Sequence, residues 1–345
     1  MQGSTNWITL LGDNDRRGGT TASASKSPGE LIWKQTLNDG VRSSPVLHDG
    51  VVFVTCRDGC LYAFDSRTGK ERWRVETARS SDSTPSISGP LVLFGNDAGV
   101  LYAVERGTGA VRWKLEAGGS IWTSPIVRNG VVFFGSNDGV FRAVDLAGGT
   151  IKWTHQTDGQ ICSTAYAAER LVYFGSSDGS VYALDGSTGK ESWRFRAGDS
   201  VVTSPAVVNG LVLAGSEDHR FYALDAASGA VRWKVETGLG IYSSPAVSGG
   251  TVYFGGKDGY VYALAVADGK EIWKSRSFRT LTAPPVAGDA VVCIQTFYGG
   301  TQAFEAASGK ELWRANLGGS LQSTPILSND AIYLATYPGV LYALR

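Results

Sequence analysis

The chain is poor in the residues that most often carry chemistry. Its four cysteines, Cys56, Cys60, Cys162 and Cys293, are too few and too scattered among 345 residues for a disulfide framework, and their spacing fits no paired zinc-ligand pattern. Cys56 and Cys60 flank Arg57-Asp-Gly and read as two free thiols facing each other across a hairpin. Three histidines, His48, His155 and His219, fall at unrelated places, so neither a metal site nor a Ser-His-Asp arrangement is implied. Charge of either sign is not in excess: 32 basic residues balance 32 acidic ones, without a basic block. Nucleic acid and anionic membrane surfaces, which need clustered Lys and Arg, are therefore not expected partners. No basic stretch followed by a long apolar core opens the sequence, which predicts neither a signal peptide nor a membrane span. As it stands the chain reads as cytoplasmic, or as periplasmic or extracellular if a leader was removed.

What the chain has in abundance is repetition. Eight of ten tryptophans, Trp33, Trp73, Trp113, Trp153, Trp193, Trp233, Trp273 and Trp313, recur every 40 residues, and Gly69, Gly109, Gly149, Gly189, Gly229, Gly269 and Gly309 keep the same phase. A fixed step of this size marks a repeat architecture. In the unit from Ile121 to Trp153, runs of β-branched and aromatic residues beginning at Ile121, Val131, Val140 and Thr150 predict four strands. Arg128-Asn-Gly, Asn137-Asp-Gly and Gly148-Gly149 supply the turns between them. Eight four-stranded antiparallel units with no helical period between them predict an all-β, eight-bladed β-propeller. The last unit ends at Arg345 after three strands, and the chain opens with an orphan fourth at Glu30 to Lys34, so the N-terminal strand is expected to complete the final blade. Residues 1–28 read as a partly flexible extension and 29–345 as the propeller.

The unit Gly-Ser-x-Asp-Gly-x-Val-Tyr-Ala-Leu-Asp-x-x-Thr-Gly-Lys-x-x-Trp, as at Gly175 to Trp193, resembles the repeats of PQQ-like (BamB-like) propellers, and Trp7 to Gly18 is similar to the stretch that often precedes their first blade. WD40 propellers fit less well, for the chain has no Trp-Asp dipeptide. The resemblance implies the fold and, through scaffold and sensor members, a partner-binding role. It does not extend to a quinone: the quinoprotein dehydrogenases are longer and carry adjacent cysteines beside the cofactor, which this chain lacks, so no cofactor is expected.

Residues shared by every unit cannot easily form a unique site. The tryptophans read as docks between blades and the Ser/Thr-Pro pairs as packing at the hub. Asp65, Glu105, Asp145, Asp185, Asp225 and Glu305 read as turn caps. Thr68-Gly-Lys and Thr188-Gly-Lys lack the spacing of a phosphate loop. Individuality appears two residues before the Ser/Thr-Pro register, which reads Arg42, Asp82, Trp122, Cys162, Val202, Tyr242, Thr282 and Gln322. This register is expected to form a collar at the channel mouth. A second departure replaces the usual hairpin with Gln295-Thr-Phe297-Tyr298 and Ala335-Thr-Tyr337-Pro, adding Phe297, Tyr298 and Tyr337, with Tyr260 and Arg279 nearby. Apolar area rimmed by polar groups suits a small-molecule or peptide ligand. Two readings follow: a monomeric, non-enzymatic binding propeller, or a cyclase-like biosynthetic enzyme that holds a small hydrophobic substrate in the channel mouth.

Overall fold

A computed structural model describes residues 30–168, 170–277, 280–296, 300–316, 323–328 and 331–345. The expected extension, 1–28, lies outside them. Eight four-stranded antiparallel sheets follow one another around a ring, and no helix occurs among the described residues. Blade 1 runs from Val46 to Glu76, and each later blade begins 40 residues on. Blade 8 is built from Ile326–Leu327, Ile332–Ala335, Val340–Leu344 and, as its outer strand, Leu31–Thr36. Trp33 lies opposite Ala343 and Thr36 opposite Val340, so the chain closes on itself as expected.

Blade 3 shows why the sequence folds this way. Val131–Gly135 and Val140–Asp145 are the second and third strands, and Ile151–Gln156 is the outer one. Asn129 and Gly130 both take positive φ, 50° and 74°, which the tight turn between the inner strands requires. The inner strand is shorter than expected: it starts at Ile126, not Ile121. Pro125 has no N–H to give a ladder, and the N–H of Ser124 goes sideways to Thr164 Oγ1 of the next blade at 2.9 Å.

That sideways bond recurs around the hub. The N–H of Ser44 donates to Thr84 Oγ1, that of Thr164 to Ser204 Oγ and that of Ser204 to Ser244 Oγ, each at 2.9 Å. Thr324 donates to Ser44 Oγ at 2.7 Å and seals blade 8 to blade 1. The Ser/Thr register is thus a circumferential fastening as well as packing. It fails in blade 7, where Pro284 has neither hydroxyl nor N–H; Thr324 Oγ1 is left buried without a hydrogen-bond partner.

Further out, the indoles join neighbouring blades. Trp33 Nε1 donates to Ser66 O at 2.9 Å, Trp113 Nε1 to Leu146 O at 2.9 Å and Trp273 Nε1 to Ala306 O at 2.8 Å, each to a carbonyl 33 residues on. The indole face lies on the turn glycine of that next blade: a Cβ added at Gly149, whose φ is +69°, would meet the Trp113 ring at 2.7 Å. Burying about 200 Å² of indole at ~25 cal/mol per Å² gives an upper bound of about 5 kcal/mol per joint. Between the indoles and the hub, apolar side chains fill the interblade layers, and in two of them aromatics face each other, Phe141 on Phe174 and Phe221 on Phe254 at 4.1 Å between ring centroids.

The hairpin between second and third strands is pinned from inside. Tyr62, Tyr182 and Tyr222 donate their hydroxyls to Asp58, Asp178 and Asp218 at 2.6 Å, and Tyr262 to Asp258 at 2.5 Å. In blade 3 the tyrosine is replaced by Arg142, which holds Asp138 at 2.6 Å and also donates to Ser136 Oγ and Ala117 O. Burial would raise the Asp138 carboxyl, but the bonds from Arg142, Ser136 and the Val140 N–H hold it below its ordinary value.

Two outcomes test this account. Arg142→Ala, which removes the cation from a half-buried carboxylate, is expected to cost about 1.5–3 kcal/mol, whereas Arg142→Tyr restores the pairing used by four other blades and stays within about 1 kcal/mol of the parent in denaturant titration. Pro284→Ser supplies two hub bonds at about 1 kcal/mol each against roughly 0.4–1 kcal/mol lost with the proline's rigidity. It should therefore raise the melting temperature.

Candidate functional site

One end of the ring gathers two variable registers. The first is the collar, on the segment that leads into each inner strand. The second, missed in the sequence reading apart from Phe297 and Tyr337, is the variable residue of Gly-Ser-x-Asp-Gly: Arg57, Asp97, Asn137, Ser177, Glu217 and Lys257. Its variety from unit to unit was the available signal. The backbone locks the two together, since Arg57 N–H donates to Gly40 O at 3.0 Å, Asp97 N–H to Ser80 O at 2.8 Å and Lys257 N–H to Gly240 O at 3.1 Å. Each collar residue therefore starts two positions from an anchor on its own blade's hairpin.

Collar side chains also reach over the hairpin of the preceding blade. Trp122 Nε1 donates to Asp97 Oδ1 at 2.9 Å, and the Cys162 thiol lies 3.6 Å from Asn137 Oδ1. The Arg42 guanidinium sits 5.2 Å above the Tyr337 ring, across the closure between blades 1 and 8. Its Nη1 approaches Asp82 Oδ2 at 3.4 Å. On the far side, Lys257 Nζ lies 3.7 Å from the centroid of the Tyr242 ring and 2.8 Å from Glu217 Oε2. Trp122, Tyr242 and Tyr337 are exposed, at 44%, 41% and 39%. Val202 and Thr282 are half-buried in the same register. Tyr260 instead packs against Lys274 and Tyr262 of its own blade. Arg279, Phe297, Tyr298 and Gln322 lie outside the described residues.

The electrostatics of the mouth are unusual at one carboxyl. Burial raises Asp82 above the usual aspartate range, against the pull of Arg42 and Arg57 and with a smaller push from Asp97. Burial likewise pushes the Cys162 thiol up to about 11, which leaves it protonated at neutral pH and a poor nucleophile. Cys56 and Cys60 are free and buried, pushed up to about 12 and about 11, and Cys56 donates its S–H to Asp39 O at 3.1 Å. His48, His155 and His219 sit in blades 1, 3 and 5. Among the described residues no group of three or more His, Cys, Asp or Glu side chains is arranged to hold a metal ion.

A fold, a hub and a variable mouth invite comparison. The family model PQQ_2, described as outer membrane protein assembly factor BamB, matches residues 14–90, 57–164 and 158–345. The chain belongs to that family. No curated protein matches it significantly. Among solved structures, BamB from Moraxella catarrhalis superposes with a TM-score of 0.80 at 21% identity, over 92% of this chain and 99% of that one. The quinohemoprotein alcohol dehydrogenase from Comamonas testosteroni gives 0.82 at 16%, over 99% and 80%. The computationally designed Ika8 protein gives 0.83 at 17%, over 92% and 99%. Identities this low speak for the fold alone, which an assembly factor, an alcohol dehydrogenase and a designed protein share.

Because Asp82 binds its proton more tightly in the folded than in the unfolded chain, its ionisation opposes folding. Asp82→Asn should therefore raise the melting temperature at neutral pH, and the gain should fade as pH falls through the raised value toward the ordinary aspartate range. Thermal unfolding of both proteins from pH 7 to pH 3.5 checks this, and a gain that grew on acidification would contradict it.

Proposed function

We propose that this PQQ_2-family propeller is a non-enzymatic binding protein that seats a peptide segment of a partner on its channel-mouth face. One observation carries the reading: variety of residue type is concentrated in two registers that lie side by side at one end of the ring, and three large aromatics there stay in solvent. Rigid aromatics on a fixed frame lose little entropy on binding and make good anchors. The rest of each blade is spent on the joints.

The cyclase-like reading finds less support. Neither register contains a histidine, the Cys162 thiol is raised to about 11, and the acids Asp82, Asp97 and Glu217 are engaged by Arg42, Trp122 and Lys257. The residues do not fit a quinone either. The adjacent cysteines that the resemblance associates with it are absent from the sequence.

The test is a random peptide library displayed on phage and selected against the immobilised protein. Trp122→Ala and Tyr337→Ala should each weaken the enriched peptides by about 30-fold or more, the loss expected of an interface anchor, while Val111→Ser on an outer strand leaves binding unchanged. Enrichment that survives both mouth substitutions, or that is lost with Val111→Ser, would move the site elsewhere.

A further inference from the structure

Two sides of the mouth are built alike. On one, Tyr337 carries Arg42, which meets Asp82 through a single nitrogen at 3.4 Å. On the other, Tyr242 carries Lys257, which meets Glu217 through a single oxygen at 2.8 Å. The parts come from different registers: the cation is the collar residue in the first set and the hairpin residue in the second, so no repeat rule accounts for the likeness. In both sets the second carboxylate oxygen, Asp82 Oδ1 and Glu217 Oε1, is buried without a hydrogen-bond partner. In both, the acid is the hidden member and the cation the accessible one: the side chains of Asp82 and Glu217 are 15% and 17% exposed, those of Arg42 and Lys257 37% and 31%. Arg57, beside Arg42 through its bond to Gly40, makes no ion pair among the described residues. Asp97 is occupied by the Trp122 indole N–H and the Ser80 hydroxyl.

What the mouth shows to a visitor is therefore a pair of cations, each laid on the face of an exposed tyrosine, with their counter-charges withdrawn. A cation held on a ring is oriented and already partly stripped of water, which lowers the cost of meeting an anion. We propose that the face reads an acidic peptide segment, in which carboxylate side chains engage Arg42 and Lys257 and apolar side chains between them lie on Tyr337, Tyr242 and Trp122. This rests on the binding reading above and supplies its chemistry. Phenol rings and the indole favour a peptide over a bare anion, because a small carboxylate would use the cations and leave the aromatic area unpaid.

Fluorescence anisotropy with a fluorescein-labelled hexapeptide of alternating Glu and Phe, and with its Lys-for-Glu counterpart, tests the proposal. The acidic peptide should bind, its affinity should fall several-fold between 50 and 300 mM salt, and the basic one should bind at least tenfold more weakly. Arg42→Gln and Lys257→Met should each cost about tenfold, with the two losses multiplying because the sites are far apart. Asp82→Asn, which releases Arg42 from its internal partner, should tighten binding, an effect that a merely structural Asp82 would not give. Equal binding of both peptides, with loss only in Trp122→Ala, would overturn the charge reading and leave the peptide-binding reading standing. Binding of neither peptide, no effect of the two cation substitutions, or competition by free glutamate at the same concentration as the peptide would each overturn the proposal; the last would mark a small-anion site only.

Discussion

The indole N–H bond to a carbonyl 33 residues ahead is the constraint on which the ring depends. It ties the outer strand of one blade to the third-strand turn of the next, and it dictates what that turn can be: only a residue without a side chain leaves room for the ring face. A carbonyl acceptor and a glycine therefore have to arrive together, once per blade and in step with the tryptophan. The acceptor and the glycine lie three residues apart in one turn, so an insertion between them would part the carbonyl from the surface on which the indole rests.

With the joints so specified, the mouth is free to differ. Substitution there leaves the indoles, the hub hydroxyls and the hairpin carboxylates untouched, and the backbone bonds between lead-in and hairpin involve no side chain at all. Arg42 can become Asp82 in the next blade and Trp122 in the one after without disturbing the frame. The mouth is thus a set of positions with fixed Cα geometry and open chemistry, the arrangement that lets one scaffold carry many functions.

The fold was legible because period and phase are properties of the sequence that no tertiary contact can blur. Blade number, strand spans such as Val131–Gly135 and Val140–Asp145, and closure through Leu31–Thr36 all followed from phase. The inner strand was misjudged because Pro125 and Ser124 look like strand residues in composition, while their hydrogen bonds run around the hub instead of along the sheet. The candidate site was half visible. The collar register stood out by its variety, but the hairpin register that supplies Asp97, Glu217 and Lys257 was hidden between a repeated serine and a repeated aspartate. Which collar residue touches which hairpin residue depends on the 25-residue offset across a blade joint, as between Trp122 and Asp97, and that is geometry rather than pattern. Coupled exchanges were equally silent: Thr55 stands where five other blades have glycine and Ser81 where the others have Val, Ile or Leu; Thr55 donates its hydroxyl across the joint to Ser83 O, and Ser81 donates within its own blade to Gly95 O.

Blade 7 interrupts the hub at Pro284, and an interrupted hoop behaves differently from a whole one. A hoop under outward load shares the strain among its links, and where links are missing the spokes beside the gap part first. Pro284 can neither accept from the spoke before it nor donate to the spoke after it, so anything that swells the central axis, whether thermal agitation or a wedge of bound chain, will be accommodated on either side of the seventh spoke.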